Sequence, residues 1–300
     1  MTLFRGVYAV VCTPFDAAGE VDEPALRRHM RWLLDEGRVH GIIPTGSTGE
    51  FAFLTAQERR DVLETTLAEV DGKVPVIAGA AACSTRETIA NVSMAERAGA
   101  DGVMIVSPYY GHLSQQELYC HFRTVAESTR LPIIVYNNPG TSGSDILAET
   151  LARLAELENI AAVKESTGIM QRVNEIMRLC GDRLAVLCGC DTLPLEMFLM
   201  GVKGWVAAPA NSIPRECVQL FELAVERKDY GAAWDLYAVL LPLFELFEGS
   251  GQYVQLNKAA LEMQGRSIGD PRPPLLPATE DRREQLRAIM DRIGALGAVR

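Results

Sequence analysis

Eight strand-then-helix units in succession, the lack of any strand alternating apolar and polar residues, and a purely helical pattern after residue 228 predict an α/β chain: a (β/α)8 TIM barrel with a C-terminal helical extension. A strand buried on both faces reads as a continuous apolar run, which is the signature of a parallel sheet covered by helices. The strands recur every roughly 20–35 residues with short loops, as βα units do. An open doubly wound sheet is the alternative topology. No Gly-x-Gly-x-x-Gly follows the first strand to suggest a dinucleotide site, and eight units favour closure.

The first unit pairs residues 7–12, an apolar run closed by Thr13-Pro14, with residues 23–36, where Leu26, Met30, Leu33 and Leu34 fall at helical spacing before Gly37. The pattern repeats with strands at 40–43, 74–80, 102–106, 133–137, 160–164, 184–188 and 204–208. Helices are expected after them at 56–70, 85–98, 115–128, 146–154, 170–179, 193–200 and 215–227. Beyond these, Tyr230, Trp234, Tyr237, Leu241, Phe244 and Phe247 step at helical spacing, and 253–264 and 281–293 are helical in pattern. Pro242 is expected to bend the first of these helices, and Pro271-Arg272-Pro273-Pro274 with Pro277 forms an extended connector. The expected division is a barrel carrying the active site over 1–228 and a helical domain over 229–300. The aromatic stripe reads as helix-packing core, part of it facing another subunit.

With 48% hydrophobic and 23% charged residues the chain is an ordinary globular one, able to bury a full core. A net charge of -10 argues against nucleic-acid and acidic-membrane partners, which are held by clustered Lys and Arg. The seven cysteines are scattered, and Cys188-Gly189-Cys190 lacks the two-residue spacer of redox and zinc motifs, so they read as reduced packing residues. No metal site is expected, and His29, His40, His112 and His121 read mostly as helix-surface residues. The N-terminus lacks a basic region followed by an apolar one, and no apolar run approaches about 18 residues, so a cytoplasmic, non-membrane protein is expected.

The chemistry starts at residues 160–164, a small-and-apolar strand that ends in Lys164. Desolvation disfavours the ammonium, so a buried lysine is available as an amine nucleophile that forms a Schiff base with a ketone or aldehyde. The alternative for Lys164 alone is a stem that packs while its charge reaches water. In a barrel, catalytic groups come from the C-terminal ends of strands and the loops after them. Tyr136 sits at such an end, as do the loops Pro44-Thr45-Gly46-Ser47-Thr48-Gly49-Glu50 and Ser107-Pro108-Tyr109-Tyr110-Gly111. Gly46 and Gly49 let backbone N–H groups approach a ligand while Ser47 and Thr48 add hydroxyl donors, a combination suited to a carboxylate. Tyr136 can relay a proton beside the lysine.

These residues form part of a longer series: Gly46-Ser47-Thr48-Gly49-Glu50, Pro108-Tyr109-Tyr110, Tyr136-Asn137-x-Pro139, Val163-Lys164-Glu165, Gly189-x-Asp191 and Gly204-Trp205-Val206 through Asn211. In that order they resemble the dihydrodipicolinate synthase / N-acetylneuraminate lyase family of class I aldolases, along nearly the whole chain. The resemblance implies Lys164 as the Schiff-base lysine for pyruvate or another 2-oxo acid and Tyr136 as the general acid/base. It implies Ser47 and Thr48 as carboxylate ligands, with Thr48 in a hydroxyl relay joining Tyr136 to Tyr110. Gly189 and Val206 would line the pocket. It also implies that Tyr110 reaches a neighbouring subunit's site, hence a homodimer or homotetramer, and that no metal or organic cofactor is needed.

Two departures bear on the substrate. True dihydrodipicolinate synthases carry an arginine at the position of Thr141, where it grips the carboxylate of aspartate semialdehyde; a neutral hydroxyl cannot make that bidentate pair. Ser166, two residues after the lysine, is placed where the family's sugar-acid lyases contact a hydroxylated substrate. Asp191 is either a further hydroxyl ligand or a helix N-cap. The expected function is a Schiff-base lyase acting on pyruvate or a hydroxylated 2-oxo acid. The alternatives are a 4-hydroxy-tetrahydrodipicolinate synthase and, from another class, a 2-oxo acid binding protein without turnover.

Overall fold

A computed structural model describes residues 3–295. Its strands are β1 (Gly6–Val10), β2 (Gly41–Ile43), β3 (Ile77–Gly79), β4 (Gly102–Val106), β5 (Ile133–Asn137), β6 (Ile160–Glu165), β7 (Ala185–Cys188) and β8 (Gly204–Ala207). They run parallel in the order β2-β1-β8-β7-β6-β5-β4-β3. A parallel bridge from Ile42 to Val76 and the Gly79 N–H on Pro44 O join β2 to β3, so the sheet is a nearly closed (β/α)8 barrel. The strands expected at 74–80 and 40–43 are shorter than anticipated; Pro75 lacks an N–H, and only its carbonyl enters the ladder, accepting from Ile42.

The alternation of side chains along each strand separates two apolar layers. Tyr8, Ile43, Ile77, Met104, Ile134, Ala162, Leu187 and Val206 fill the barrel interior. Val7, Ile42, Val103, Val135, Val163 and Trp205 face the helices. Those helices are α1 (Glu23–Arg31, continuing as a π turn Trp32–Glu36), α2 (Ala56–Val70), α3 (Thr85–Ala98), α4 (Gln115–Ala126), the single turn α5 (Pro139–Ser142), α6 (Ala148–Leu154), α7 (Met170–Cys180), α8 (Pro194–Leu199) and α9 (Pro214–Phe221). Side chains start them: Asp22, Ser84 and a capping box at Thr55/Glu58 and at Ser114/Glu117 satisfy first-turn N–H groups.

The extension consists of α10 (Tyr230–Gly249), α11 (Tyr253–Met263) and α12 (Glu280–Arg292); the end of the region expected over 229–300, residues 296–300, lies outside the described residues. α10 runs through Pro242 as one helix. Its aromatic stripe is divided: Tyr237, Phe244 and Phe247 are buried, whereas Tyr230 and Trp234 are 50% and 58% exposed. Phe244 meets the fully buried Trp205 edge-on, ring centroids 5.6 Å apart, which seats α10 against β8. α10 is interrupted by Asp235, Glu245 and Glu248, so it holds no continuous apolar run of about 18 residues, but an 18-residue window of it has mean hydropathy 1.2, enough by length and composition to cross a membrane, and its buried face packs on the barrel.

A correction concerns the histidines. His29 and His121 are each only 4% exposed, not on helix surfaces. A neutral imidazole can be buried if hydrogen bonded; His29 Nε2 lies 3.0 Å from Asn211 Oδ1 and His121 Nδ1 2.9 Å from Thr85 Oγ1. All seven cysteines are unpaired, and four of them are buried.

Candidate active site

β5 and β6 are paired so that Tyr136 stands opposite Lys164 and Asn137 opposite Glu165. The period of two therefore points the first pair into the barrel mouth and the second towards the helices. Lys164 is 7% exposed and Tyr136 6%, with Nζ 4.0 Å from the tyrosine ring centroid. The outward pair secures this register. Asn137 Nδ2 donates to Glu165 Oε2 (3.0 Å) and to Asp145 Oδ1 (3.1 Å), and the Thr167 N–H donates to Glu165 Oε1 (2.8 Å). Burial raises the Glu165 carboxyl above its ordinary range. Burial also opposes the Asp145 carboxylate, but the Arg172 fork at 2.8 and 3.0 Å, with Asn137, outweighs it and holds Asp145 low.

A cavity of about 550 Å³ opens at this rim. Of the residues singled out in the sequence, Ser47, Thr48, Tyr136, Thr141, Lys164, Ser166, Gly189, Asp191 and Val206 line it. The loop carrying Ser47 and Thr48 turns between two left-handed residues, Thr45 (φ 55°) and Glu50 (φ 58°). Gly46 lies behind the cavity wall; a Cβ there would sit 2.7 Å from Val10 Cγ1, so the glycine lets the loop close on β1. A side chain at Gly189 would collide with Ser166 Oγ and press to 2.8 Å on Lys164 Cγ, so that position must also lack one. Ser166 Oγ is buried without a hydrogen-bond partner in the described residues, and Ser166 lines the cavity.

Tyr110 is not brought to this cavity. It is 90% exposed, because the preceding Tyr109 turns inward to pack edge-on against Phe51, centroids 5.8 Å apart, and leaves its neighbour facing out. Within one chain the Tyr136 hydroxyl has another partner, accepting from Asn138 Nδ2 at 2.8 Å. Asn138, next to the tyrosine motif, was overlooked in the sequence although the Asn-Pro turn there marks a built loop.

Asp191 is not a helix N-cap. Leu193 occupies that place before α8, while Asp191 is 3% exposed and its Oδ1 accepts from Trp205 Nε1 at 2.8 Å. Burial, then the neighbouring Glu248, pushes its carboxyl well above the ordinary range, against the pull of Lys164. Glu248 is a second residue the sequence did not point to. It comes from the last turn of α10, lines the cavity, and accepts the Asp191 N–H (2.5 Å), the Thr192 N–H (3.3 Å) and the Thr192 hydroxyl (2.5 Å). Tyr253 and Val254 at the start of α11 complete that wall. Nothing local marks these three; only the docking of the extension brings them in. Among the lining residues Lys164 is the one cation, facing the acids Asp191 and Glu248.

Comparison with known proteins agrees with this architecture. The model of the Dihydrodipicolinate synthetase family matches residues 3–293. A 4-hydroxy-tetrahydrodipicolinate synthase of Syntrophus aciditrophicus is 38% identical over 299 residues, covering 98% of this chain and all of that protein. The solved dihydrodipicolinate synthase of Aquifex aeolicus superposes with a TM-score of 0.93 at 34% identity, covering 98% of this chain and 99% of its own. The chloride-inhibited enzyme of Acinetobacter baumannii, solved with pyruvate, gives 0.93 at 32% identity over 97% of this chain and 99% of its own. The barrel, its extension and these full-length matches lead to one conclusion: the chain belongs to the dihydrodipicolinate synthetase family, whose members are lyases of the class I aldolase type.

Proposed function

We propose that the chain forms a Schiff base between Lys164 and pyruvate or a pyruvate-derived 2-oxo acid. The carrying observation is the pairing of a buried lysine with a tyrosine across one strand ladder, at the mouth of a cavity large enough for such a substrate. The pyruvate bound in the Acinetobacter baumannii relative supports the same substrate class. In this reading the Lys164 amine adds to the C2 carbonyl, Tyr136 supplies the proton that lets water leave, and an iminium results. Loss of a C3 proton then gives an enamine, which attacks an aldehyde or, in reverse, is released by carbon–carbon cleavage. Ser47 and Thr48 hold the carboxylate. The iminium is the electron sink, so the scheme calls on no further cofactor. Tyr110, exposed on one chain, completes the site of a neighbouring copy in a dimer or tetramer.

Two second substrates compete. The names of full-length relatives favour aspartate semialdehyde, the reaction of a 4-hydroxy-tetrahydrodipicolinate synthase. The groups lining the cavity favour a hydroxylated partner instead: Thr141 offers no cation for a second carboxylate, and the Glu248 carboxylate would repel one. Proton NMR of pyruvate in D2O tests the shared step, since enamine formation replaces methyl hydrogen with deuterium. No exchange above the buffer rate removes the Schiff-base reading. A panel of aspartate semialdehyde and hydroxyaldehydes then decides between the two; turnover of the semialdehyde alone would establish the synthase.

A further inference from the structure

Behind the loop of Ser47 and Thr48 lies a charge cluster that the mechanism does not use. Glu50 closes that loop in a left-handed conformation and is wholly buried at its side chain. Lys258, from α11, lies 2.7 Å from Glu50 Oε1 and is 3% exposed at its side chain; the contact is an ion pair, not an aligned hydrogen bond. Lys258 Nζ donates to Asp270 O at 2.9 Å, and the Arg272 N–H donates to Glu50 Oε2 at 2.8 Å. Phe15 receives both cations on its ring, Lys258 at 4.4 Å and Arg272 at 4.3 Å from the centroid. The Arg272 guanidinium also donates to Phe53 O and to Glu58 Oε1, on the far side of the loop. None of Phe15, Glu50, Lys258 or Arg272 lines the cavity.

A buried ion pair gains little net stability over an apolar pair of similar shape, so its presence beneath a ligand loop points to a geometric task. We infer that Glu50, Lys258 and Arg272 form a clamp by which the C-terminal extension fixes the carboxylate-binding loop, making them positioning residues for substrate binding. The binding part of this inference rests on the proposed role of Ser47 and Thr48. Without the clamp the loop keeps its ties to the barrel, Thr45 Oγ1 on Gly79 O and the Thr13 hydroxyl on Gly49 O, but loses its tie to the extension, so part of the ordering of the hydroxyls at 47 and 48 would fall to the substrate.

Two readouts on the full chain test the clamp, in Glu50→Gln and in Phe15→Leu, the latter being the milder change should the buried unpaired lysine of the former prevent folding. Hydrogen–deuterium exchange over residues 44–53 is expected to rise about tenfold in Glu50→Gln and about threefold in Phe15→Leu, with the β5 and β6 peptides unchanged. The pyruvate concentration that half-saturates reductive trapping should rise by similar factors of about ten and about three, at an unaltered plateau. Unchanged loop exchange in a folded variant overturns the inference, as does faster exchange with the same half-saturation. Faster exchange in a protein whose wild type traps no pyruvate would leave the loop clamp standing and sink the Schiff-base reading instead.

Discussion

The two halves of the cavity are built differently. One half stands on the barrel: Tyr136 and Lys164 face each other by strand register, Val206 lines the cavity from β8, and the outward Asn137–Glu165 pair locks the ladder behind them. The other half is assembled from the loops after β5, β6 and β7 and from an extension remote in sequence, with Glu248 gripping Asp191 and Thr192. A register cannot drift by small amounts, so groups that must meet a reacting carbon are best placed on it. A wall made of loops and a docked helix can change while the register stays fixed, so the proposed reading assigns substrate choice to it.

Substitutions can separate the halves. The largest effect is expected on the barrel side, where Lys164→Met should lower turnover by about a thousandfold or more and leave the fold intact, as measured by steady-state kinetics and circular dichroism. Tyr136→Phe should cost about a hundredfold or more in kcat with a smaller change in KM, since it removes a proton donor and keeps the ring on Lys164. On the other side, Thr141→Arg adds a cation where the cavity has only Lys164; kcat/KM for aspartate semialdehyde should rise about tenfold while pyruvate trapping stays the same. A fall in pyruvate trapping in that variant would mean the halves are not separable.

The smallest effect lies outside both. Burial lowers His29 and His121 to about 4, from an ordinary value of 6.5. Each native imidazole stays neutral where the unfolded one would bind a proton, so stability is complete above about pH 6.5 and declines as the pH falls towards 4. Urea unfolding at pH 5 should show a loss of about 2 kcal/mol per histidine relative to pH 7.5, and His121→Gln should reduce that dependence.

How far the molecule was legible follows the same division. Apolar runs fix where a two-sided strand lies, so the eight strands and the residues at their ends, Lys164 and Tyr136 among them, could be read directly. So could the Gly-Ser-Thr-Gly turn, whose composition implies a close backbone approach. The wall of the second half could not, because Glu248 and Tyr253 look like ordinary surface and helix-packing residues until α10 and α11 dock. Asp191 was half legible: its position after β7 was clear, but its partner Trp205 is set by tertiary packing, not by the helix that follows. Tyr110, read as a site residue, stands exposed outside the cavity of one chain, because Tyr109 takes the inward place. The buried histidines escaped for a related reason, since spacing along a helix does not reveal a polar partner on a neighbouring element.

Everything proposed for this site depends on a carbon–nitrogen bond at one side chain. Borohydride reduction in the presence of pyruvate, followed by peptide mass spectrometry, is the most direct measurement of it. The account predicts a pyruvate-sized adduct on the peptide containing Lys164, lost in Lys164→Met. An adduct confined to another lysine, or none with any 2-oxo acid offered, would contradict it.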